Sequence, residues 1–341
     1  PPDLGPDAAW PDLGPDAAPD AAPDQGPPVV PFEPRDVAGR WHLYGVATED
    51  PLEALLIVGA DGTPGFSALD GTQLGVVATL TPDTADPRRA ALALPGYLDD
   101  PLVGALDPIA GFGVLVQQPP AGAPRQLVVA VRVGDAGLPS NALYVHAGLE
   151  PLGVGEYGAI ARLGNAFRES GPLTTAGEQL PDRTLTATAT GERFALVDLE
   201  GNERLLSTNG RAAVGTFDAA AEVEGVAFAW SPFALDADLP PATLFCAGAH
   251  LDADALVVQG RWAEILADGR TLRWDDGRAA TLVRNGGLIN LETERNFFGL
   301  PGGVAMTDPD RRVLVLLPVQ PARQQVDWGF GACVSLEPVL R

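Results

Sequence analysis

Histidine, cysteine and tryptophan are scarce enough here for each to be weighed as chemistry: three His, two Cys and six Trp among 341 residues. His250, Asp252 and Asp254 alternate, so on a strand they share one face and offer an imidazole and two carboxylates to a metal ion. The same run, Ala249 to Asp254, also reads as a polar turn, and no residues stand out that would complete a coordination shell. His146 is remote from the other two histidines in sequence. His42 follows Trp41, and because strand neighbours point to opposite faces, its imidazole belongs on the face the indole avoids. The acidic pairs Asp236/Asp238, Asp275/Asp276 and Asp308/Asp310 lack the twelve-residue spacing of a calcium loop, which favours turn acids bonding their own backbone.

Catalytic signatures are missing. There is no Gly-x-Ser-x-Gly elbow, no His-Glu-x-x-His and no phosphate-cradling loop, and the 22 basic residues are all Arg, which removes Schiff-base lysine chemistry. The 45 acids leave a hydrolase built on paired carboxylates open. The reading leans against an enzyme, and no cofactor is implied. Trp41, Trp262 and Trp274 are the candidates for ligand contact: Trp41 and Trp262 each close a Gly-Arg-Trp run, and an indole near a turn, as at Trp274, stacks on sugars or anchors a protein; the alternative, favoured for Trp41 and Trp262, is ordinary core filling. Trp274, between Arg273 and Asp275, is expected near a turn and partly wet.

Cys246 and Cys333 each lie in an apolar, strand-like stretch. Two readings stand. A disulfide would close a loop of about 87 residues and contribute roughly 4 to 5 kcal/mol in the chain-entropy account, whereas two inert buried thiols would also suit such surroundings.

The elements that must position these residues are strands. Short apolar runs are broken every 8 to 12 residues or so by turn residues, the pattern of an all-β chain. Thr184 to Thr190 alternates throughout, and Leu127, Val129, Val131 and Val133 share one face of another strand. Brief helical spacing occurs at Tyr157 to Phe167 and Asp218 to Glu224. Parallel strands need crossover segments, so the sheets should be antiparallel meanders forming barrel- or sandwich-like units. A strand, turn, strand, turn pattern recurs at Asp61-Gly62/Asp70-Gly71, Glu200-Gly201/Asn209-Gly210 and Asp268-Gly269/Asp276-Gly277. This predicts a disordered tether over 1–36, a β-meander over 37–150, and a second region over 151–341 built from two related meanders. Residues 148–182 are expected to act largely as a link.

The tether is compositional: 11 of the 33 prolines fall in the first 34 residues, within a near-exact nine-residue Pro/Asp/Leu/Gly/Ala repeat over 2–18. Such a run supports neither helix nor ladder and stays extended and solvated. It resembles the Asp/Pro/Ala linkers that follow the lipid-modified Cys of bacterial surface lipoproteins. That resemblance implies export, with outer-membrane, cell-surface or periplasmic placement and a lipid anchor upstream of Pro1. Gly39-Arg40-Trp41 resembles the Gly-x-Trp of lipocalin and other calycin barrels, which implies a Trp plugging a barrel floor and a cup for a small apolar ligand. The net charge of −23, of which the tether carries −7, disfavours nucleic acid and anionic membrane surfaces. No apolar run is long enough to span a bilayer as a helix. Together these predict an exported, tethered binding or structural module whose partner is a glycan or a surface protein, with a secreted hydrolase and a ligand-carrying barrel as alternatives.

Overall fold

The structure, a computed structural model, describes residues 29–47, 51–148, 154–174, 177–219, 223–252, 255–318 and 328–338. The tether over 1–28 lies outside them. Residues 29–36 do not: Phe32 packs on the first core and donates its N–H to Pro87 O at 2.7 Å, and Pro34–Val37 forms a 3-10 turn. Among the described residues every other regular element is a strand. The all-β, antiparallel expectation therefore holds.

Twenty-four described strands form three eight-stranded meanders. Unit I comprises β1 (Gly39–Val46), β2 (Glu53–Val58), β3 (Pro64–Ser67), β4 (Thr79–Pro82), β5 (Ala90–Ala93), β6 (Leu102–Asp107), β7 (Phe112–Gln117) and β8 (Leu127–Arg132). Unit II comprises β9 (Asn141–Gly148), β10 (Val154–Leu163), β11 (Ala166–Thr174), β12 (Arg183–Thr190), β13 (Arg193–Val197), β14 (Glu203–Thr208), β15 (Ala212–Ala219) and β16 (Val223–Trp230). Unit III comprises β17 (Ala242–Asp252), β18 (Ala255–Ile265), β19 (Thr271–Trp274), β20 (Ala279–Asn285), β21 (Leu288–Glu292), β22 (Val304–Thr307), β23 (Val313–Leu317) and β24 (Gly329–Ser335). Units II and III close into barrels by pairing their first and last strands. Unit I pairs β1 with β8 in the same way, but β3 and β4 are not hydrogen-bonded, and residues 68–78 span that gap with one bridge from Gln73 to Ser67.

Several expectations shift. Strand β9, at the end of the 37–150 region, pairs with β10 and β16. The expected link over 148–182 contains β10 and β11, an antiparallel hairpin with one irregularity in its register. Its helical spacing has a local cause: the register slips between Tyr157 and Ala159, and such a bulge breaks two-residue alternation. Of the three repeat copies, the first and third occupy matching places, the second-to-third and third-to-fourth turns of units I and III. The middle copy falls three turns later in unit II, at the β13–β14 and β14–β15 turns.

The matching turns of units I and III do matching work. Gly62 (φ 88°) and Gly269 (φ 65°) adopt a backbone that L side chains resist, and a Cβ on either would press within about 3 Å of the segment leading into its unit. That segment is Pro34–Val37 in unit I and Asp238–Leu239 in unit III, and its Val37 or Leu239 enters the interior core. Each of these interiors is thus floored by the chain that precedes it.

Interior and exterior faces are both apolar where units meet. Val128 and Ala130 of β8 face the unit I interior, while Leu127, Val129 and Val131 join a larger cluster shared by all three units. The first, seventh and eighth strands of every unit feed that cluster: Tyr44, Phe112 and Val129 from unit I, Val145, Val214 and Trp230 from unit II, Phe245, Val315 and Phe330 from unit III. Strands buried on two faces read as unbroken apolar runs. The sixth-to-seventh turns of the units also converge. Asn209 Nδ2 donates to Ala110 O (3.0 Å) and Gly111 O (2.8 Å), while its Oδ1 accepts from Arg211 N (3.0 Å) and Ala212 N (2.8 Å). Arg312 completes the junction through Asp107. Asn209→Ala is expected to cost about 2 kcal/mol, measurable as a lowered urea midpoint; a change under about 0.5 kcal/mol would mean water replaces these bonds fully.

Within unit III, Cys246 and Cys333 face each other across the closing pair β17–β24 and are joined by a disulfide.

Candidate functional site

Strand β1 aims alternate residues at different neighbours. Trp41 enters the unit I interior, fully buried, and donates its indole N–H to Val37 O at 2.8 Å. His42 points the other way, into the seam with unit II. There its Nδ1 lies 2.5 Å from Ser207 Oγ on β14, and Ser207 Oγ lies 2.6 Å from Tyr44 OH. The other ring nitrogen, Nε2, lies 3.3 Å from Glu192 Oε2 at the β12–β13 turn, and Arg40 holds the same carboxylate at 2.8 Å. In front of Nε2 opens a cleft of about 380 Å³, lined by Arg40, Leu69, Asp70, Glu192 and Arg193 among others.

Burial sets the electrostatics. Desolvation lowers the His42 pKa below its usual 6.5 despite the pull of Glu192, and burial pushes Tyr44 up to about 12 against its bond to Ser207. Glu192 is held below the ordinary carboxylate range, first by its bond to Arg40. Asp70 is likewise lowered, chiefly by the Thr72 N–H. With a neutral ring the cleft therefore offers two guanidinium groups and two carboxylates.

Serine, imidazole and carboxylate in a row have the connectivity of a hydrolytic triad, with the two ring nitrogens exchanged. Chemistry stops at access. Ser207 is fully buried, absent from the cleft wall, and its oxygen is engaged by both His42 and Tyr44. A nucleophile must reach the substrate, and Ser207 in this position does not.

A second buried polar group lies in unit II. Arg183 bonds Glu156 at 2.9 and 3.1 Å and Glu169 at 3.2 Å, and Arg204 bonds Glu169 at 2.7 Å, with Glu169 and Arg204 essentially sealed from solvent. Arg204 also lies over the rings of Tyr144 (5.3 Å) and Phe217 (5.6 Å). Burial works against charge on Arg183, yet Glu156 and Glu169 raise its pKa above the normal arginine value. The charges alternate and are sealed from a substrate, so the arrangement is a structural network, although Arg204 Nε and Nη1 have no hydrogen-bond partner among the described residues.

The residues singled out by sequence are not brought together. Trp41 and Trp274 are buried, so neither presents a ring face; Trp274 is dry, not partly wet, because β19 turns it into the unit III core. Trp262 is half-buried, with Arg88 at 5.0 Å and Arg89 at 5.2 Å over its ring, a clamp between units I and III. His250 is buried against Phe298 and near Gln259 Nε2 at 3.5 Å. Asp252 is exposed at the end of β17, and Asp254 lies outside the described residues. Among the described residues no three His, Cys, Asp or Glu side chains are grouped to hold a metal. The acidic pairs engage arginines and backbone: Asp236 meets Arg311, Asp238 meets Arg270 at 2.9 Å, Asp276 meets Arg261 at 2.8 Å, and Asp308 caps Arg312 N and Val313 N at 2.7 Å. Sequence reading placed His42 away from Trp41 but missed Ser207 and Glu192, which lie 165 and 150 residues away. A lone Ser inside Leu205-Leu206-Ser207-Thr208 was the available sign.

No family model matches this sequence, and no curated protein matches it. Among solved structures it is similar to a double mutant of the vaccine antigen transferrin binding protein B from Haemophilus parasuis Hp5. Identity is 10%, coverage is 86% of this chain and 74% of that chain, and the TM-score is 0.28.

Proposed function

We propose that this chain is an exported, surface-tethered binding module whose ligand seat is the cleft between units I and II. The supporting observation is the cleft itself, about 380 Å³ and walled by both units, with Arg40 and Arg193 set beside Asp70 and Glu192. Its volume suits a small molecule or the terminal residue of a larger partner. Groups of both signs favour a ligand bearing both charges over a neutral sugar, which would want an open aromatic face. The proline-rich leader serves as a spacer that holds the three units clear of an anchoring surface.

The test is a screen of the full chain against charged and neutral glycans and a panel of amino acids and short peptides, read by calorimetry. A zwitterionic ligand should bind, and Arg193→Ala or Asp70→Asn should each weaken it about tenfold, the value of one charge-assisted bond. Binding only to neutral glycans, or binding indifferent to both substitutions, would overturn the reading.

A further inference from the structure

We propose that His42 makes the contact between units I and II proton-sensitive: the seam is whole while the imidazole is neutral and loosens when it gains a second ring proton. With the ring hydrogen on Nε2, that N–H faces Glu192 Oε2 at 3.3 Å, the Ser207 hydroxyl donates to Nδ1 at 2.5 Å, and the Tyr44 hydroxyl donates to Ser207 Oγ at 2.6 Å. Every hydrogen in that row has an acceptor. Protonation turns Nδ1 into a donor, so Ser207 Oγ must accept from the ring. One hydroxyl hydrogen of the Ser207–Tyr44 pair then has no acceptor within the row. His42, Tyr44 and Ser207 are buried, and a buried donor left unpaired carries its full desolvation cost.

Two features make this a seam property and not a local one. The row crosses the units, with His42 and Tyr44 on β1 of unit I and Ser207 and Glu192 in unit II. The ring also meets solvent on its Nε2 edge, which borders the cleft beside half-exposed Glu192, while the added proton settles on Nδ1, toward Ser207. The charged and titratable groups facing the ring are Arg40 and Tyr44 from β1, Glu192 and Arg193 from the β12–β13 turn, and Asp70 from the segment after β3; Glu53 of β2 acts on Tyr44. β2 and β8 set neutral Leu55 and Val131 opposite His42, and β14 brings neutral Ser207. Burial outweighs the attraction of Glu192 and holds the folded-state pKa below 6.5. A lowered value means the network's stabilisation is complete above pH 6.5 and declines as pH falls through 6.5 toward the folded-state value. None of this depends on the cleft holding a ligand.

The experiment is amide hydrogen exchange on the full chain between pH 7.5 and 4.5, corrected for intrinsic rates, with the His42 ring titrated by NMR. The ring should titrate below pH 6.5, and protection of β1 and β14 amides should fall between pH 6.5 and that midpoint, by up to about tenfold per pH unit, the limit for one proton. The β17–β24 pair should not change over that range. Glu192→Gln should move the ring midpoint lower still by removing its counter-charge, a shift no purely structural role produces. His42→Asn should remove the pH-dependent loss of protection. A wild-type ring midpoint at or above 6.5 overturns the proposal even if the variants fail to fold, as does an unchanged acid loss of protection in His42→Asn.

Discussion

Removing the Cys246–Cys333 bridge is expected to lower the stability of the chain by about 4 to 5 kcal/mol, the chain-entropy value for a loop of this length. The bridge joins residues 87 apart and sits on the one pairing that closes unit III, since β17 and β24 are its first and last strands. Hydrogen bonds between those strands must be made across a long loop, and closing that loop is what an unlinked chain does at greatest entropic loss. Two comparisons separate the link from its atoms. Reduced wild type loses the link and keeps both sulfurs, whereas the double substitution Cys246→Ala with Cys333→Ala also loses volume at two fully buried positions. The double variant should therefore be the less stable of the two, by roughly 1 kcal/mol or more for each buried group removed. Urea unfolding with and without reductant is the measurement. An unchanged midpoint in the reduced protein would show that the unfolded chain keeps these strands together by other means.

Much of the fold was readable in the residues, and the reasons for the remainder are specific. Glycine turns and clean alternation marked strands such as β12, where exposed threonines face solvent and Leu185 fills the barrel. Alternation fails where both faces are covered: β7 and β23 read as continuous apolar runs, so nothing local said which face met which unit. Three-fold repetition was visible, but its middle copy was misphased, because acid-Gly and Asn-Gly turns mark any tight hairpin regardless of its place in the order. The candidate site was least legible. His42 and Ser207 meet across a seam between units, and pairs that distant leave no trace in periodicity. The indoles of Trp41 and Trp274 suggested contact with ligands, yet size alone sends them to interiors.

Trp230→Ala tests whether the three units are one cooperative body, and it is expected to cost about 3 to 5 kcal/mol. The ring is fully buried where the units meet, 5.2 Å from Phe112 of unit I and 6.4 Å from Phe228 of its own unit; Phe228 in turn lies 4.1 Å from Phe330 of unit III. Its indole N–H has no acceptor among the described residues, so the loss is packing and aromatic contact, not a hydrogen bond. Trp230→Phe, which keeps a ring and removes that unpaired donor, should accordingly stay within about 1 to 2 kcal/mol of wild type. Trp274→Ala is the control, because that ring is equally buried but belongs to the interior of unit III alone. If the shared core couples the units, hydrogen exchange in Trp230→Ala should quicken in the central strands β8, β16 and β24 together. In Trp274→Ala the quickening should be confined to unit III at comparable total cost. Separate unfolding transitions for the three units in wild type would mean that the common apolar cluster holds them side by side without making them fold as one.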